Sequence, residues 1–296
     1  MKNYKKVFTL FVMIGLLVVL SGCSGDVTAP IKSGDIGFFE RILVLPVAWV
    51  MQFFSGLFNN SFAIGIIITT IIVRTIAWPI YAKSNDLSIK MAVAQPEMNR
   101  IQAKYATRKD PESQQKMQME LMAVYKKYGI NFFGCLMPFL QMPIFLAMYQ
   151  VVQRIWIEGG MYADKVQNMK FLGIDLAKSG NFGLILGQDG DIAGWILAII
   201  VAGTMFFLNH LAQKKPSYAK NTAAHGPQSA QAEQSAKMMK YMQYFMVIMM
   251  FSISLGSNSL ALYWVVGNLY SIGQNMINRV INERKYYAMK NKDLVG

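Results

Sequence analysis

Reactive side chains are scarce in this chain. It has two cysteines, two histidines and only 15% charged residues, against a hydrophobic share of 54%. The cysteines, Cys23 and Cys135, lie far apart, and the histidines, His210 and His225, sit in unrelated surroundings. A disulfide framework and a metal-ligand cluster are therefore excluded. No Walker-type phosphate loop, no H-E-x-x-H and no G-x-S-x-G occurs, which leaves neither nucleotide-driven work nor the common hydrolytic chemistries a foothold. No internal repeat is visible. A soluble domain carries about 25% charged residues, and this chain reads instead as an all-α polytopic membrane protein.

The formal net charge is +13. A basic chain invites a nucleic-acid reading, but here Lys and Arg gather between apolar runs, as membrane topology requires. No arginine-rich aromatic platform is present, so no specific nucleic-acid partner is expected. No cofactor is expected either.

The N-terminus carries Lys2, Lys5 and Lys6, an apolar run Val7–Leu20, and then Leu20-Ser21-Gly22-Cys23. This is a signal peptide, residues 1–22, closing on a lipobox. Cleavage before Cys23 would leave an acylated cysteine as the first residue of a bacterial lipoprotein. A tether follows, and Phe38–Phe58 is an apolar run interrupted by Arg41, Pro46, Trp49, Gln52 and Ser55. It predicts an amphipathic helix on the outer interface, within an extracellular segment 23–61. A true span there would invert the charge pattern that follows.

Five apolar runs are long enough to cross a membrane: Phe62–Tyr81, Phe132–Ile155, Ile192–Leu211, Met239–Leu255 and Leu260–Ile281. The loop 82–131 holds nine Lys/Arg, whereas 156–191 holds three, so the first is cytoplasmic and the second outside. The basic loop 212–238 and tail 282–296 then fall inside. An outer N-terminus and five spans give the same orientation. Lys83–Ala106 and Glu112–Tyr128 are rich in helix formers around Thr-Arg-Lys-Asp-Pro, which predicts a cytoplasmic helical hairpin. Loop 212–238, with Pro216, Gly226 and Pro227, shows no such pattern and is expected to be mobile.

Arg74 is the anomaly. It lies twelve residues into the first span, about 18 Å along a helix. A charge there costs about 2.5–3.5 kcal/mol unless water, a partner or the interface receives it. Thr70, Arg74 and Trp78 recur at i, i+4 and i+8 and so share a face. That face reads as wetted. The alternative is that Arg74 snorkels to the near interface, with Trp78-Pro79 as anchor and helix end.

In the last span Trp264, Asn268, Ser271 and Asn275 form one helical face, and in the second Gln141 stands between Pro138 and Pro143. Each alone reads as interhelical glue, worth about 0.6–2 kcal/mol. With Arg74 they point to a shared hydrophilic cavity. Methionines recur along the fourth span (Met239, Met242, Met246, Met249, Met250) and the hairpin (Met91, Met98, Met117, Met119, Met122). Thioethers suit either adaptable contact with many apolar segments or gap filling in a bundle.

The blocks QPEMNRIQAKY (Gln95–Tyr105), KMQMELMAVYKKYGIN (Lys116–Asn131), GCLMPFLQMPIF (Gly134–Phe145) and LALYWVVGNLYSIGQ (Leu260–Gln274) resemble the YidC/SpoIIIJ membrane-insertase family. The likeness covers Ser61 to Gln274, and the lipobox is similar to that of its short Gram-positive form. Departures fall at Asn131-Phe132, at the inserted Met137 and at Gly256–Ser259. The resemblance implies five transmembrane helices around a cytoplasm-open hydrophilic groove, with Arg74, Gln141 and Trp264 in it. It further implies an insertase and chaperone that does no covalent chemistry. Its partners would be nascent membrane proteins and membrane lipid, with the Sec translocon and the ribosome beside them. A small-solute transporter or channel is the rival, though no paired broken helices appear. An assembly scaffold is the other.

Overall fold

The computed structural model describes residues 28–32, 37–105, 107–108, 110–130, 133–180, 191–213 and 230–295. The expected signal peptide and Cys23 lie outside the described residues, as does most of loop 212–238. The described chain is built almost wholly from helices. A π-helical turn, Glu40–Val44, leads into α1 (Leu45–Leu57). Then come α2 (Phe62–Tyr105), α3 (Pro111–Lys127), α4 (Phe133–Arg154), α5 (Ile192–Gln213), α6 (Ala230–Ser254) and α7 (Asn258–Val295). Between α4 and α5 a small antiparallel hairpin pairs β1 (Lys170–Phe171) with β2 (Ile174–Asp175). Leu172 and Gly173 turn it, both at positive φ, as a two-residue hairpin requires.

Among the described residues, three helices are long and apolar enough to cross a membrane by length and composition: Glu40–Leu57, Phe62–Pro79 and Ile192–Ala212. The first of these is the segment expected on the interface. One of its faces is packed, with Val44, Ala48, Met51 and Ser55 all buried, while Ile42, Trp49, Phe53 and Leu57 are exposed on the other. The remaining expected spans are helical, within α4, α6 and α7.

Two differences from the sequence expectation concern boundaries. The first span and the first arm of the hairpin are one helix, α2, which passes through Pro79 and Pro96. Each proline removes a single backbone bond, and around Pro96 Ala94 and Met98 are buried against Val124 of α3. Second, α6 begins at Ala230, so residues 230–238 of the loop read as patternless are helical. Their sequence, AQAEQSAKM, is indeed made of good helix formers.

The described residues fall into two compact units, and residues of α2, α4, α5, α6 and α7 are divided between them. The first takes in the chain up to Ile76, Pro138–Thr204 and Met249–Tyr270. Its core joins Phe62 and Ile66 of α2, Met148, Val151 and Ile155 at the end of α4, and Leu260 and Trp264 of α7. In the contact of α1 with α2, Gly65 leaves no room for a side chain. An added Cβ would lie 2.0 Å from Ser55 Oγ and 3.0 Å from the Met51 carbonyl oxygen.

The second unit comprises Ala77–Met137, Met205–Ile248 and residues from Ser271 onward. It holds the predicted hairpin, where Ala94 and Met98 of α2 pack on Val124 of α3. Asp110 caps α3 through Ser113 N at 2.8 Å, with Pro111 opening the helix, which is the break that Asp-Pro predicts. A further contact joins Ile89 to Tyr286.

Candidate functional site: a guanidinium laid on a glycine

Arg74 is half-buried in α2. Its guanidinium lies against the backbone of α7 at Gly267, where an added Cβ would meet Nη2 at 3.0 Å, Cζ at 3.7 Å and Nε at 3.8 Å. Gly267 is thus the residue that makes room for the charge. One turn back on α7 is Trp264, 7% exposed. One turn on is Tyr270, whose hydroxyl pairs with that of Thr75 at 3.0 Å. Thr75 also reaches back to the Ile71 carbonyl at 2.7 Å. The two helices are therefore fastened beside the arginine by hydroxyls, in a place where apolar packing would ordinarily serve.

The other expected residues divide. Thr70 is buried, and its hydroxyl donates to the Ile66 carbonyl at 2.6 Å. It satisfies its own helix. Asn268 is half-buried and donates through Nδ2 to Thr204 Oγ1 of α5 at 3.1 Å. This bond has the geometry of interhelical glue. Thr204 was not visible as a partner because nothing in sequence pairs residues 64 positions apart. Ser271 is half-buried but belongs to the second unit. Gln141 falls in α4, and its side chain lies outside the described positions. Trp264, Asn268 and Arg74 thus fall in one unit around Gly267.

The methionines also divide. Met98 is buried in the hairpin, whereas Met119, Met122 and Met242 are 58%, 68% and 56% exposed. Gap filling explains the first kind only. In the second unit a shallow pocket is lined by Asn209, His210 and Gln243 beside the stacked rings of Phe206 and Tyr244.

Electrostatics outside the apolar helices concentrate on the hairpin. Lys127 bonds Glu97 at 2.9 Å, and this holds the Glu97 carboxyl below the usual carboxylate range. Lys104, at 2.7 Å, with the Tyr105 hydroxyl, does the same for Glu120. Asp110 is lowered by its capping bonds to Ser113.

Comparison with known proteins covers nearly the whole chain. The family model described as 60Kd inner membrane protein matches residues 53–285. The membrane protein insertase YidC 1 of Listeria monocytogenes serotype 4b is 31% identical over 97% of this chain and 89% of its own length. The membrane protein insertase YidC of Oceanobacillus iheyensis is 32% identical over 95% of this chain and 99% of its own. MisCA of Bacillus subtilis, also a membrane protein insertase, is 31% identical over 92% and 91%. With described residues that are almost wholly helical, apolar helices among them and a family match across more than two hundred residues, this chain is a member of the 60Kd inner membrane protein family.

Proposed function

We propose that this protein is a membrane protein insertase and chaperone, working without covalent chemistry in a bacterial cell membrane. The observation that carries the reading is Arg74, a permanent cation half-buried in an apolar helix and seated on a glycine backbone. A charge held this way lowers the barrier for a short polar segment entering the bilayer, because it attracts acidic or carbonyl groups of that segment. The substrate's own apolar helix then partitions into lipid, which supplies the driving force. Gln141, Trp264, Thr70 and Asn268 complete the proposed groove. Asn268 contributes by holding α7 to α5, given the bond it makes, whereas Thr70 bonds within its own helix.

The same reading places the N-terminus outside on an acylated Cys23, loop 82–131 and the tail inside, and nascent membrane proteins as substrates. The Sec translocon and the ribosome are its proposed neighbours. The relatives, named as membrane protein insertases, support the insertase reading alone. The test is reconstitution of purified protein in liposomes with a single-span substrate bearing a short tail. Protease protection of the tail that depends on this protein is the expected result.

A further inference from the structure

Arg154 ends α4 with its side chain 7% exposed. A cation so buried is costly unless its donors are all met. Three stretches of chain meet this one. Nε donates to the Ala29 carbonyl at 2.8 Å, and Nη1 donates to Gln150 Oε1, one turn back, at 3.0 Å. Gln150 is itself 1% exposed. Nη1 also donates to the carboxylate of Glu40, the first residue of the π-helical turn before α1. The segment from Ala29 is held from its other side too, since Met161 N donates to the Ile31 carbonyl at 2.9 Å and Ile31 is 3% exposed. None of these groups belongs to the Arg74 site.

We propose that Arg154 is a positioning residue that latches the N-terminal tether. One guanidinium fastens Ala29 and the Glu40 turn to the end of α4, so the chain that follows the expected lipid-bearing Cys23 leaves the bundle at a fixed place. The proposal rests on the topology given above, in which this end of α4 faces outward. On that side positive charge is disfavoured, and Glu40 neutralises it. The chemistry calls for arginine specifically. A planar fork directs separate N–H groups to a carbonyl, an amide and a carboxylate, whereas a lysine offers one compact ammonium on a differently shaped stem. This is the reverse of the requirement at Arg74, where charge alone should serve.

The close approach of the tether supplies the test. A Cβ added at Gly160 would lie 3.3 Å from Pro30 Cβ, near the separation that a disulfide spans. In the full-length protein in nanodiscs, with Cys135→Ser, the pair Pro30→Cys and Gly160→Cys should oxidise rapidly to a disulfide, mapped by mass spectrometry of the joined peptides. Adding Arg154→Lys should slow that oxidation at least about tenfold while elution in gel filtration is unchanged. Should Arg154→Lys fail to accumulate, Arg154→Gln and Glu40→Gln are read in the same way. A parental oxidation rate in every variant that folds overturns the latch. Since no substrate enters this measurement, failure of the latch and failure of the insertase reading are separately visible.

Discussion

Gly267 has no side chain where Arg74 needs the space, and the two residues make a pair of opposed predictions. Gly267→Ala should favour the helix, since glycine costs about 1 kcal/mol in a helix interior, yet its Cβ would lie 3.0 Å from Nη2 and must shift the guanidinium from its seat. Thermal unfolding should therefore be unchanged or raised, while insertion of acidic tails falls. Equal loss of stability and activity would instead mark Gly267 as a packing residue. At Gly65 the expectation differs, because the obstruction is partly backbone. Gly65→Ala should lower stability by about 1–3 kcal/mol, measured by thermal unfolding in detergent, and Ser55→Ala should restore part of it by removing the 2.0 Å contact. Sequence spacing exposed Arg74, since a charge inside an apolar run is visible without a structure. It did not expose Gly267, Thr204 or the Arg154 cluster, because each acquires its meaning from a partner distant in the chain.

The hairpin is the element whose behaviour follows from its charges. Glu97, Glu120 and Asp110 all have carboxyls lowered in the folded state. Each therefore adds stability that is complete above the ordinary carboxylate range, near pH 4, and is lost as pH falls through the lowered folded value. The bonds are exposed, so each effect is small and weakened by salt. A spin label at Gln118 in full-length protein should be equally immobile from pH 7 to 5 and gain mobility below about pH 4, sooner at high salt. Unchanged mobility down to pH 3 would show that the Ala94–Met98–Val124 contact suffices alone. Deleting Val93–Gln118 should impair insertion and leave the first unit folded. Helical content and the Asp110-Pro111 break were legible, because formers, cap and proline are all local signals. The continuity of α2 was not, since Pro79 and Pro96 are local signals for ending a helix and the helix runs through both.

At the scale of the whole molecule, family blocks read from Ser61 to Gln274 agree with the family match over residues 53–285. Such ordered blocks carry far more information than the periodicity of any one span. The interrupted apolar run and the charge pattern after it read α1 as an interfacial helix, while its length and hydropathy also suit a span. In the proposed mechanism a held charge at Arg74, not a packed side chain, does the work of insertion. The direct measurement is the insertion rate of single-span substrates into liposomes against tail charge, with parent, Arg74→Lys and Arg74→Ala proteins. Arg74→Lys should keep most of the rate, and Arg74→Ala should lose about tenfold, or about 1.4 kcal/mol, for acidic tails and much less for neutral ones. Lysine and alanine variants equally impaired, with no dependence on tail charge, would mean that Arg74 acts by its packing and not by its charge.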